Sequence, residues 1–138
     1  MTHGFSRRAD LRRRCELIEQ AYEFMLAYAA QGLSGDAGSQ TGAQLRAMLG
    51  QAAASMRGIA TQYEAVAEDE NWQPRAPYSR FLAVLERDAG DALAAVEMVL
   101  AQPSISSQLV DNLNASIHLR ALLTDLFLID EILTGEKA

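Results

Sequence analysis

Apolar residues recur by fours and threes along most of the chain, and the segments in which they do so predict four helices joined by three connections. From about Ser6 to Gln31 the steps are Leu11, Cys15, Ile18, Tyr22, Met25 and Ala29, with Arg12, Glu16, Glu19 and Glu23 as the parallel solvent stripe. Gly32 is the expected left-handed stop. Leu33 to Gly42, rich in Gly, Ser and Asp and without periodicity, is expected to be a flexible connection. A second helix is predicted over 42–70 through Leu45, Leu49, Ala52, Met56, Ile59, Tyr63 and Val66. Glycine costs a helix about 1 kcal/mol relative to alanine, so Gly50 and Gly58 in this segment predict the close approach of another backbone.

The stretch 71–77 (NWQPRAP) holds two prolines and predicts a turn. A third helix follows over 78–101, with Leu82, Leu85, Ala89 and Val96 facing inward, until Pro103 stops it. Ser104 or Ser106 then caps a fourth over 105–133, which Gly135 closes. No segment alternates with period two, and no repeat is visible. The expected fold is all-α, a single-domain up-down-up-down four-helix bundle spanning residues 1–138.

The fourth helix is the most apolar part of the chain. A helix with one buried face needs an apolar stripe around about a third of its circumference, and this one is apolar on more than one side. Its siblings cover part of it, and a second copy of the chain or another protein is expected to cover the rest through Leu119, Leu122, Leu126, Ile129 and Leu133. Trp72, Arg75 and Tyr78, of types enriched at binding hot spots, make the 71–77 turn a second candidate contact surface. The competing expectation for Trp72 is a lid over the end of the bundle.

Charge sharpens this picture. Arg7, Arg8, Arg12, Arg13 and Arg14 crowd the start of the first helix, and Glu64, Glu68, Asp69 and Glu70 the end of the second, each disfavoured there by the helix dipole. Antiparallel packing sets these ends side by side, so they are expected to compensate one another. The functional alternative for Arg7, Arg8 and Arg12 is an anchor for an anion or an acidic partner. A net charge of −6 over 138 residues argues against nucleic acid as a partner. Ser6-Arg7-Arg8 is not followed by the apolar run of an export signal, and no stretch reaches the ~18 apolar residues of a membrane span, so a cytoplasmic address is expected. Cys15 is the lone cysteine, which leaves no internal disulfide.

Candidate chemistry is sparse. A di-iron bundle needs Glu-x-x-His on two helices, and the sequence has none. Asp111, Asn114, His118 and Asp125 share one side of the predicted fourth helix and read as its solvent stripe rather than a ligand set. His118 lacks the flanking basic residue and glycine of a phosphotransfer histidine, and no serine or cysteine sits in a nucleophile elbow. Cys15 stands at a core step. Neither phosphate-cradling glycine motif is present. No metal or cofactor is therefore expected, and the function anticipated is that of a non-enzymatic accessory, adaptor or chaperone-like bundle, oligomeric through its last helix. The alternative is a small-ligand pocket lined by Tyr22, Tyr28, Tyr63, Met25, Met48 and Met56.

Overall fold

The computed structural model describes residues 6–136 and contains six helices: α1 (Arg7–Ala30), α2 (Gln40–Met56), α3 (Ile59–Glu70), α4 (Arg75–Leu100), α5 (Ser107–Ala115) and α6 (Ile117–Glu136). The protein is all-α, with no strand among the described residues. None of the described helices is long and apolar enough to cross a membrane.

Two of the four expected helices are broken, one at Arg57 and Gly58 and the other at Ser116, where the backbone leaves the right-handed helical region. Arg57 turns extended (ψ 122°) and Gly58 left-handed (φ 68°), which ends α2 and starts α3. A left-handed backbone suits glycine, so the role of Gly58 is this joint rather than close packing. Gly50 likewise has no heavy atom within 4 Å of where a Cβ would stand. The second break is at Ser116 (ψ 147°), between α5 and α6. The stop expected at Gly135 is not there, since α6 continues to Glu136.

The other ends follow local chemistry. The Ser6, Ser39 and Ser106 hydroxyls accept the amide N–H groups of Ala9, Gly42 and Leu109, capping α1, α2 and α5. Gly32 takes the left-handed conformation expected after α1 (φ 67°). α4 starts three residues earlier than expected, because a proline within the first turn has no intrahelical amide bond to lose and Pro77 sits there.

α1 packs on α2 and α3 and on α5 and α6, and α4 contacts the same four helices. The core between them is built from Ile18, Leu45, Leu49, Leu85, Leu122 and their neighbours, all essentially without solvent contact. One end is tied by hydrogen bonds. Tyr28 donates its hydroxyl to the Ile105 carbonyl (2.8 Å), and Ser107 donates to the Tyr28 carbonyl (2.6 Å) while accepting from Leu33 N–H (2.8 Å).

The loop 33–39 is anchored rather than flexible, because its Asp36 is a buried charge with partners. The Arg46 guanidinium pairs with Asp36 and also donates to the carbonyls of Leu100 (3.1 Å) and Gln102 (2.8 Å). The Ile105 amide donates to Asp36 Oδ1 (2.7 Å). The Arg46 hydrogen bond first, and the Ile105 amide second, hold the Asp36 carboxyl below the usual carboxylate range.

At the other end Arg8 grips Glu70 through two hydrogen bonds (2.6 and 2.7 Å), and Arg7 pairs with Asp69 (3.3 Å). Arg7 and Arg8 thus meet carboxylates of their own chain, as the charge pattern predicts. Glu68 turns to Arg75 instead (3.5 Å), and Arg14 bridges Asp10 and the carbonyls of Ser55 and Arg57.

The side-on reading of Asp111, Asn114, His118 and Asp125 as a solvent stripe fails for two of the four. Asp111 and His118 are exposed, but Asn114 and Asp125 are buried. Asn114 stands four residues after the buried Val110 on α5, and Asp125 three after the buried Leu122 and four before the buried Ile129 on α6, so each falls on its helix's inward face.

Candidate functional site

The first turns of α4 and the last turns of α6 lie against each other and leave an apolar groove between them. Its volume is about 400 Å³, and Pro74, Pro77, Tyr78 and Phe81 line one side while Leu128, Ile129, Ile132 and Leu133 line the other. None of these eight side chains is charged.

The α4 wall is set by the turn before it. Trp72 is 5% exposed and packs its ring on Tyr78, with centroids 5.1 Å apart and planes tilted by 51°. Its indole N–H donates to Glu70 Oε1 (3.1 Å), the carboxylate that Arg8 also holds. A chain of contacts therefore runs from the start of α1 through Glu70 and Trp72 to the groove wall. Trp72 is a lid over this end, and Tyr78 faces the groove together with Pro74 and Pro77. Arg75 does neither, since it donates to the Ala67 carbonyl at the end of α3 (3.3 Å).

α6 is apolar on two sides, but the residues expected to meet a partner are the inward ones. Leu119, Leu122 and Leu126 are buried in this chain's own core, and Ile129 and Leu133 are nearly so, forming the floor of the groove. The outward apolar positions are Ile117 (73% exposed), Phe127 (53%), Leu128 (52%) and Ile132 (46%). Pattern reading alone missed Pro74, Pro77, Phe81, Leu128 and Ile132. The available signal was phase: Ile117, Leu128 and Ile132 step by eleven and four, so they share a side of α6 distinct from that of Leu119, Leu122 and Leu126.

A second, polar cleft of about 340 Å³ opens between α1, α3 and α6, lined by Arg8, Arg12, Cys15, Glu16, Glu19 and Asp130 among others. Cys15 Sγ and Tyr63 Oη share a hydrogen bond at 3.5 Å. Burial raises the Cys15 thiol, opposed by the Tyr63 bond and reinforced by Glu19 and Asp130, so its surroundings disfavour the thiolate. Tyr63 is raised as well, first by burial. Burial and then Asp130 raise Glu19. Among the described residues no group of three or more His, Cys, Asp or Glu side chains is placed to hold a metal ion.

The aromatic and methionine residues expected to line an internal ligand pocket are packed instead. Met25, Tyr28, Met56 and Tyr63 belong to the core, with Tyr22 and Met48 against it, and the Tyr28 hydroxyl is already used on Ile105. No protein-family model, curated protein or solved structure matches this chain.

Proposed function

We propose that this protein is a non-enzymatic, cytoplasmic accessory or adaptor protein, built as an up-down-up-down four-helix bundle in which α2–α3 and α5–α6 each act as one rod. In this reading it works through protein contacts and pairs with a second copy of itself through the α4–α6 groove. The observation that carries the reading is the groove itself, whose walls are wholly uncharged in an acidic chain.

Two considerations favour a second copy as the occupant. Like-charged chains repel over most of their surface, and an uncharged patch is where two of them meet without opposing carboxylates. Leu128 and Ile132, both about half exposed, carry the uncharged surface of the groove outward along α6, and Phe127 next to them adds a third exposed apolar side chain.

Size-exclusion chromatography with light scattering tests this directly. The wild-type chain is expected at twice the monomer mass, and the Leu128→Asp, Ile132→Asp double variant at the monomer mass with an unchanged helical circular dichroism spectrum. Both positions are about half exposed, so the charges have water available in the monomer. A wild-type protein that is monomeric at all accessible concentrations would overturn the self-pairing.

A further inference from the structure

Asp125 is a carboxylic acid in the wrong place. It lies on α6 only 6% exposed, and its Oδ2 has no hydrogen-bond partner. It stands one turn before Leu128 and Ile129, which line the groove, and it faces Asp88 of α4 within hydrogen-bonding reach. Two ionised carboxylates hold no proton to share, so as a pair of anions they would repel and leave the buried oxygen orphaned. A single proton between them removes the repulsion and supplies the missing bond.

We propose that Asp88 and Asp125 form a proton-operated latch between α4 and α6, closed when they share a proton and loosened when it leaves, which sets the spacing of the two helices at the inner end of the groove.

Among the described residues no cation competes for the role. On α4 the charged neighbours of Asp88 are Arg87 and Asp91, both exposed. From α1, Glu16 and Glu19 meet α6 at Asp130, in the polar cleft on another side. Asp111 of α5 is exposed, as are His118, Arg120, Asp130 and Glu131 of α6 itself. Asp88 is the charged group that bears on Asp125. Burial first, and then the hydrogen bond and charge of Asp88, push Asp125 up to about 7.

The direction of the pH dependence follows. Unfolded Asp125 loses its proton near pH 4 and folded Asp125 near 7, so between these values the folded chain holds the extra proton. The contribution of the pair is whole below about pH 4, declines as pH rises, and is lost above about 7. The latch is thus poised at neutrality, and a modest rise in pH opens it.

The test uses the protein alone, so its outcome is separate from whether a second copy or anything else docks. Amide hydrogen exchange of α6 residues 122–129 is compared between wild type and Asp125→Asn at the same pH, which cancels the intrinsic exchange rate. Asparagine keeps the shape and donates permanently to Asp88. The ratio of wild-type to variant exchange is expected to rise by roughly tenfold between pH 5.5 and 8, with its midpoint near 7. Asp88→Asn, altered on the more exposed partner, is expected to reduce the pH dependence without abolishing it, since it removes the opposing charge while Asp125 stays buried, and it carries the test should the first variant fold poorly. A ratio independent of pH for the variant that folds overturns the latch.

Discussion

Replacing Arg46 with alanine is expected to destabilise the protein by about 3 kcal/mol, a loss of on the order of 10 °C in Tm for a chain of this length. The reason is what the side chain leaves behind. Asp36 is 8% exposed and keeps backbone amides, of Ile105 and its own, as donors, and the Leu100 and Gln102 carbonyls at the end of α4 lose theirs. A fully buried charge stripped of its partner costs about 3–5 kcal/mol, and the lower figure applies because the Arg46 side chain is a third exposed and water enters its space. Asp36→Asn is expected to cost less than half as much. The amide oxygen still accepts from Ile105, and Arg46 can turn its charge to solvent.

The two variants also separate in their pH dependence. The folded Asp36 carboxyl is held below its unfolded value, so its stabilisation is present above about pH 4 and is lost as pH falls through the folded pKa. Arg46→Ala and Asp36→Asn are both expected to flatten that acid limb. Urea unfolding of the three proteins at pH 7 and pH 3 measures it. Equal stability losses for the two variants at pH 7 would show that the buried charge is not what the arginine serves.

This clamp was invisible to periodicity, and its invisibility is instructive. The inward faces of the helices were legible because burial imposes a period of 3.6 on the sequence, so Leu11, Leu45, Leu82 and Leu122 announce themselves. Asp36 sits in a stretch of Gly, Ser and Asp whose composition is that of any exposed loop, and what buries it is an arginine ten residues on and an amide sixty-nine residues on. No local pattern encodes such a partnership. The breaks at Gly58 and Ser116 were hidden for a related reason. The apolar stripe continues across each joint, since both flanking helices pack on α1 and α4, while one or two residues leave the helical backbone. Asn114 and Asp125 read as solvent-facing by residue type, yet their positions fall on the inward faces of α5 and α6.

The candidate site divides along the same line. The excess of apolar residues on α6 was legible as composition, and the Trp72 turn as residue type. That the groove brings Tyr78, Ile129 and Leu133 together depends on α4 and α6 packing side by side, and that Leu128 and Ile132 rather than Leu119 and Leu122 face outward depends on the phase that α6 takes after Ser116. The uncharged groove and the Asp88–Asp125 pair are consecutive along this one helix contact. A contact between helices that mixes an outward apolar ridge with an inward acid pair is less stable than a plain leucine seam, and such a seam would need neither a partner nor a proton.

Gly42→Ala is expected to destabilise by about 3 kcal/mol or more, while Gly50→Ala, eight residues along the same helix, is expected to stabilise by about 1 kcal/mol. Both replace glycine with the best helix former, so propensity predicts a gain of the same size for each. The surroundings decide otherwise. A Cβ on Gly42 collides with the carbonyl and Cα of Asp36, which are backbone atoms fixed by the Arg46 and Ile105 contacts and unable to step aside. A Cβ on Gly50 meets nothing within 4 Å and points to solvent. The close approach expected at Gly50 and Gly58 is absent, and the one tight contact of a glycine in this helix is made at its first turn, where the preceding loop meets Gly42. Thermal unfolding of the two single variants checks the contrast. Equal stabilisation by both would mean that the 33–39 loop yields freely, and the rigid Asp36 anchor would fall with it.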